Sequence, residues 1–200
     1  MERVLFCFLI DRKGGNHMTV YIETERLILR DWQDSDLLLL QQMNANRQVR
    51  RYFTSLLSYQ RSQLDFEAMR SALKKQGIGL FAVELKATQQ WIGFIGLNYI
   101  FKDSHYTFEE LPFYEIGWRL IPEVWDNGIA QEGAEAVLNY VKDMNLGPIY
   151  AIAAKANKAS IRVMEKIGMT FVDYFDKPEL STYHELKENV RYVWTPKDNA

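Results

Sequence analysis

The chain has 200 residues, 48% of them apolar, enough for one domain with a full core. Its formal net charge of -2 gives no general electrostatic reason to bind nucleic acid, and no stretch approaches the ~20 apolar residues that a membrane span needs. Cys7 is the only cysteine, which excludes an intramolecular disulfide and a cysteine metal cluster; His17, His105 and His184 lack metal-ligand spacing, so no metal is expected.

Residues 1–17 differ from the rest. The apolar run Val4-Leu5-Phe6-Cys7-Phe8-Leu9-Ile10 meets charged residues at once, in Asp11-Arg12-Lys13. It is too short to cross a bilayer and has no small-residue cleavage site, so secretion is not expected and a reducing cytoplasmic setting is. Met18 is a natural start for the domain, making 1–17 an N-terminal extension and 18–200 the domain. Alternatively, the run adds an edge strand or packs on a partner.

From there the elements alternate. Arg26–Arg30 reads as a strand, Leu37–Met43 as a helix, and 44–60 as a mixed segment with Arg47, Arg50 and Arg51 beside Tyr52 and Phe53. Ser62–Gln76 is a second helix, with Phe66, Met69, Ala72 and Leu73 at helical spacing and Gly77 as its C-terminal cap. Leu80–Lys86 and Trp91–Ile100 are strands joined by a turn; the second is apolar almost throughout, as a strand covered on both faces would be. A polar loop over 101–112 leads to a strand at 114–121 and a helix from about Gly128 to Met144. Ile149–Ala154 is a further strand. Asn157–Ile167 is a short helix capped by Asn157, and Met169–Phe175 and Glu185–Trp194 are the last strands. The pattern is that of a single mixed α/β domain with helices covering a largely antiparallel sheet.

The most informative stretch is Trp125-Asp126-Asn127-Gly128-Ile129-Ala130-Gln131-Glu132, between a strand and a strongly periodic helix. A glycine opening a helix lets a ligand approach the backbone. The unpaired N–H groups of the first turn then attract an anion such as a pyrophosphate. The plainer alternative is an ordinary helix capped by Asp126 or Asn127.

Four segments in order resemble the GNAT superfamily of acyl-CoA-dependent N-acyltransferases, and within it the branch holding bacterial ribosomal-protein N-terminal acetyltransferases. They are Glu23-Thr24-Glu25-Arg26-Leu27-Ile28-Leu29-Arg30, Tyr114-Glu115-Ile116-Gly117-Trp118, the Trp125–Glu132 loop, and Asn157 through Met169 with its Asn-x-x-Ser opening. The resemblance implies a mixed, mostly antiparallel twisted sheet of about seven strands with helices on both faces. It also implies a V-shaped split between the fold's fourth and fifth strands, with acetyl-CoA lying in it as co-substrate.

Site roles follow from the resemblance. Backbone groups of Arg119, Leu120 and Ile121 would bond the pantetheine arm, and a donor near Ile116 to Trp118 would polarise the thioester carbonyl. Amides of Asn127, Gly128, Ile129 and Ala130 would hold the pyrophosphate, and Asn157 would cap its helix while also bonding the pantetheine. Glu115 is the candidate base, the alternative being a surface-facing or salt-bridged strand residue. Met164 occupies the position where many relatives have an acidic tyrosine. Ser160 is the implied substitute, the alternative being a plain first-turn helix serine. Trp125 and Asp126 depart from the superfamily's usual loop residues, and Asp126 would weaken affinity if it faced the phosphates.

Lys158, Arg162 and Lys166 share a helical face that would meet the 3′-phosphate or simply be solvated. Asp103, Glu109 and Glu110 would attract a cation or keep their loop soluble, and Tyr52, Phe53, Tyr106 and Tyr183 would shape the acceptor pocket or pack. The expected activity is acetyl transfer to a primary amine, such as a ribosomal-protein or other peptide N-terminus, a polyamine, an amino sugar or an amino acid. Direct attack is expected, since no cysteine lies in the motif region to form an acyl-enzyme. No nucleic-acid or membrane partner is expected, and the protein would be a monomer or homodimer. The competing classes are a non-catalytic acyl-CoA sensor or assembly module and, far behind, a nucleotide-binding α/β domain.

Overall fold

A strand as apolar as Trp91–Ile100 is stable only when both faces are covered, and the structure places it in the middle of a sheet. The computed structural model describes residues 8–11, 17–181 and 184–196. The strands are β1 (Phe8–Asp11), β2 (His17–Glu23), β3 (Leu27–Arg30), β4 (Leu80–Leu85), β5 (Gln90–Ile100), β6 (Phe113–Leu120), β7 (Ile149–Ala154), β8 (Thr170–Asp176) and β9 (Glu188–Trp194). The helices are α1 (Asp36–Asn44), α2 (Tyr59–Gln76), α3 (Ile129–Val141) and α4 (Lys158–Lys166), with one 3-10 turn at Pro122–Val124.

All nine strands form one sheet in the order β1-β2-β3-β4-β5-β6-β7-β9-β8. Every neighbouring pair is antiparallel except β6–β7. The mixed, mostly antiparallel sheet expected from the sequence is present, with two strands more than expected. These are β2, whose Met18, Val20 and Ile22 alternate into the core, and β1, which pairs along β2 through the segment whose alternative reading was an edge strand.

Consecutive strand residues face opposite sides, so β5 seats helices on both. Phe94 meets Trp32, which packs edge-on against Phe66 of α2 with ring centres 5.6 Å apart. Its neighbour Ile95 meets α3 on the other face. There a Cβ added at Gly133 would stand 2.4 Å from Ile95 Cδ1, so a larger residue would require the Ile95 side chain to shift. Local chemistry sets both ends of α2. Ser58 accepts from the Arg61 N–H at 3.2 Å to open α2, three residues before the expected start, and Gly77 closes it in the left-handed conformation.

A buried ionic group ties α1 to the sheet. Arg30 of β3 donates to both carboxylate oxygens of Asp36, at 2.7 and 3.0 Å, and to Glu84 of β4 at 3.1 Å. All three are nearly inaccessible.

Candidate active site

Strands β6 and β7 pair at only two positions, Tyr114 with Ile149 and Glu115 with Tyr150. Beyond Glu115 they part, while β6 stays paired with β5 to its end and β7 stays paired with β9. The split opens a cavity of about 860 Å³ whose wall includes Glu115, Arg119, Leu120, Gly128, Ile129, Ala130, Asn157 and Ser160. Eight of the ten sequence-derived site residues therefore line one space, and Asn127 and Ile121 lie outside its wall.

The register of β5 and β6 decides which backbone groups face the split. Ile121 donates its N–H to the Ile92 carbonyl at 2.9 Å and its carbonyl accepts from Val124. Successive residues of an antiparallel ladder alternate between facing the partner strand and facing away. From Ile121 backwards, the peptide groups of Arg119 and Gly117 therefore face β5, while those of Leu120, Trp118 and Ile116 face the split. This corrects the expectation for Arg119 and Ile121: the Arg119 peptide groups face β5, and Ile121 bonds Ile92 through its N–H and Val124 through its carbonyl. Leu120 faces the split, although its carbonyl already accepts from the Trp125 indole at 2.9 Å.

At the far end of the split, α3 begins at Gly128, which caps the helix with φ +75° and without any side-chain bond. Neither Asp126 nor Asn127 caps it. The Asn127 side chain donates through Nδ2 back to the Trp125 carbonyl at 2.9 Å, and Asp126, at φ 59°, lines the cavity. The first-turn N–H groups are thus left to an anion, with the helix dipole behind them. Arg26 braces this turn. It donates to the Asn127 carbonyl at 2.9 Å and to Glu132, in the first turn of α3, at 2.6 Å; Glu132 also accepts from the Thr24 hydroxyl at 2.6 Å. Burial alone would raise the Glu132 pKa, but the bonds from Thr24 and Arg26 hold it below the usual range. The bracing role of Thr24, Arg26 and Glu132 was not read from the sequence, although all three lie inside the quoted motifs.

Glu115 sits where the strands part. Protein surrounds it, yet the cavity reaches its surface, so it keeps partial access to solvent. Burial pushes its carboxyl up to about 7, with Lys177 across the cavity pulling the other way. It forms no ion pair among the described residues, so neither the surface-facing nor the salt-bridged alternative describes it. Tyr106 of the 101–112 loop lines the same space, and burial together with Glu115 and Glu179 raises its pKa.

Across the split, Asn157 caps α4 by accepting from the Ser160 N–H at 3.2 Å and donates to Ser160 Oγ at 2.9 Å. The Ser160 oxygen therefore accepts one bond while its own proton stays available. Met164 is 2% exposed and packs in the core. Arg162 and Lys166 line the cavity and Lys158 does not. On the opposite side, Tyr52 and Phe53 form part of the wall. Asp103, Glu109 and Glu110 do not, and Glu110 pairs with Arg191 at 2.9 Å. Tyr183 lies outside the described residues. Among the described residues, no group of side chains could hold a metal ion, and no helix is long and apolar enough to cross a membrane.

Comparison with known proteins addresses the family. A model of the acetyltransferase (GNAT) domain matches residues 26–170. An uncharacterized N-acetyltransferase of Bacillus subtilis, YnaD, is 31% identical over 159 residues, covering 79% of this chain and 87% of its own. A GNAT-family acetyltransferase structure from Bacillus anthracis superposes with a TM-score of 0.70 at 26% identity, over 88% of this chain and 98% of its own. The fold alone is shared with two more distant structures. One is the ribosomal L7/L12 α-N-protein acetyltransferase RimL in complex with coenzyme A, with 14% identity, TM-score 0.68, and 86% and 95% of the two chains covered. The other is the spermidine N-acetyltransferase of Vibrio cholerae in complex with CoA and spermine, with 20% identity, TM-score 0.65, and 86% and 97% covered. A domain model spanning most of the chain and a relative of this identity and coverage together establish that the protein belongs to the GNAT family and is an N-acetyltransferase.

Proposed function

We propose that the enzyme transfers acetyl from acetyl-CoA to a primary amine, a peptide α-amine or a small amine, by direct attack within a ternary complex. The observation that carries this reading is the continuity of one cavity from the side-chain-free start of α3, through the split, to Glu115. The pyrophosphate would rest on the amides of Gly128, Ile129 and Ala130. The pantetheine arm would follow the outward peptide groups of Leu120, Trp118 and Ile116, with Asn157 on the facing wall.

An ammonium has no lone pair, so the amine must lose a proton before or during attack. A carboxylate whose pKa lies near 7 is matched to that task at neutral pH, and Glu115 would accept the proton directly or through a water. The C–N bond forms, the C–S bond breaks, and the departing thiolate takes a proton from the Ser160 side, giving the N-acetyl amine and CoA thiol. The N–H of an outward-facing β6 residue would stabilise the carbonyl oxygen as charge develops on it.

The test is to incubate acetyl-CoA with a panel of peptides and small amines, following CoA thiol release and product mass. Release that depends on an amine, with a 42 Da gain on that amine, is the expected result (the mass of an acetyl group less a proton, about 42 Da). Acetyl-CoA binding without release over the whole panel would favour a sensor role instead.

A further inference from the structure

The acceptor side of the cavity carries an unbalanced positive charge. Glu115, Gly117 and Arg119 follow one another at two-residue spacing on the α1–α2 face of β6, the face that Phe94 also occupies opposite Arg119. Gly117 supplies no side chain, and a Cβ there would meet nothing within 4 Å. A gap therefore lies between Glu115 and Arg119, whose α-carbons stand ~13 Å apart along the strand.

The Arg119 guanidinium is fixed in place. Its Nη1 donates to Asn44 Oδ1 at 2.9 Å, and Asn44 is itself held by its bond to Ser62 Oγ at 3.0 Å. The rings of Phe53 and Phe94 lie 4.5 and 5.1 Å from the guanidinium carbon. Its Nε is buried and donates to nothing, and no carboxylate pairs with it among the described residues. Of the carboxylates that line the cavity, Asp65 pairs with Arg61 at 3.0 Å, Glu115 is the candidate base, and Asp126 lies at the start of α3. Two further cations are close: Arg51 lines the same cavity, and Arg50 stacks on the Phe53 ring at 4.4 Å. Burial, with Arg50 adding to it and Asp65 pulling the other way, lowers the Arg119 pKa to about 10.

A buried guanidinium with an unmade hydrogen bond is costly, and aromatic faces compensate only in part. A planar anion makes up the rest, because the guanidinium fork matches a carboxylate. We infer that the natural acceptor is an anionic amine, whose amine reaches Glu115 while a carboxylate of the same molecule bonds the Arg119 side chain. This rests on the transferase reading above and narrows it. A polyamine would set a second ammonium against Arg119, Arg50 and Arg51, and is disfavoured.

The experiment compares acceptors that differ in the carboxylate: alanine against ethylamine, and the dipeptide Ala-Glu against Ala-Gln, with spermidine as the polycation. Acetyl-CoA binding is measured separately by calorimetry. The acidic member of at least one pair should have a kcat/KM higher by on the order of tenfold or more. Arg119→Gln should abolish that preference, mainly through KM, while acetyl-CoA affinity is retained. Arg51→Gln, at an exposed position, should weaken it with the fold intact. Equal rates within both pairs, faster reaction of spermidine, or a preference that survives Arg119→Gln would overturn the inference. So would acetyl-CoA binding with no acidic acceptor taken, which would leave the transferase reading standing. Failure of acetyl-CoA to bind would overturn both.

Discussion

Glu115 ties one titration to two measurements of opposite sign. Its folded-state pKa, near 7, lies above the value near 4.3 expected of an unfolded chain. The folded state therefore favours the protonated carboxyl, so this group's contribution to stability is complete below about pH 4 and is lost as pH rises through about 7. Activity runs the other way, because only the carboxylate accepts a proton, and turnover should climb between pH 6 and 8. Glu115→Gln should lower kcat by about 10²–10⁴-fold, remove that limb of the pH–rate profile and flatten the fall in melting temperature from pH 5 to pH 8. An unchanged limb in the variant would rule Glu115 out as the base. Ser160 offers a cleaner substitution. The cap bond of α4 uses the Ser160 backbone N–H, so Ser160→Ala leaves the helix start intact while removing the hydroxyl. Single-turnover rates should fall with acetyl-CoA affinity retained; unaltered rates would return Ser160 to a structural role.

The start of α3 depends on one backbone conformation. Gly128 holds φ +75°, which costs an L-residue with a Cβ about 1–2 kcal/mol, yet the space beside it is open, the nearest atom being Arg26 Nη2 at 3.6 Å. Gly128→Glu should therefore fold with a modest loss of melting temperature while placing a carboxylate where the pyrophosphate would lie. Acetyl-CoA affinity should drop by more than tenfold, as a repulsion of about 1.4 kcal/mol or more implies. Wild-type affinity would unseat the loop assignment. The ionic group joining β3, α1 and β4 carries a different expectation: Arg30→Met would remove the cation that both carboxylate oxygens of the buried Asp36 accept from. The loss should be about 3–5 kcal/mol in a urea titration, more than for a double change of Asp36 and Glu84 to neutral residues in the same background. That group was invisible in the sequence because Glu84 lies 54 residues from Arg30 and each member looks like a surface charge. The local devices were legible because their causes are local, as with the Asn157 cap of α4 and the Gly77 stop of α2. Strand β2 had a readable alternation in Met18, Val20 and Ile22 but adjoins a segment of foreign composition. The misassignment of Arg119 and Ile121 has a register cause: which peptide faces outward is set by the pairing of Ile92 with Ile121, and spacing along one strand does not encode it.

At the scale of the whole molecule, the sheet gives up part of the β6–β7 ladder to make room for a ligand. The parting was expected from resemblance to a family, since the chain's own patterning marks both strands as ordinary apolar ones; on the acceptor side Tyr52, Phe53 and Tyr106 were legible as candidates and line the cavity, whereas the parts of its wall drawn from α1 and α2 were not, because the tertiary fold alone brings them to β6. Backbone groups that face a split rather than a neighbouring strand are bonded by solvent in the free protein, the Leu120 carbonyl apart, which accepts from the Trp125 indole. A co-substrate that replaces this solvent joins the two halves of the sheet, so binding should stabilise the entire fold. At a hundredfold excess over Kd the gain is about 2.7 kcal/mol, which for a domain of this size corresponds to a rise in melting temperature of roughly 5–10 °C. Amide exchange should slow at Ile116, Trp118 and Leu120 and at the start of α3, while the β3–β4 ladder, far from the split, changes little. Adenosine, which lacks both the pyrophosphate and the pantetheine arm, should produce neither effect. If acetyl-CoA raised the melting temperature with the slowed amides confined to some other surface, the co-substrate would not lie between β6 and β7, and the catalytic geometry built around Glu115 would fall with it.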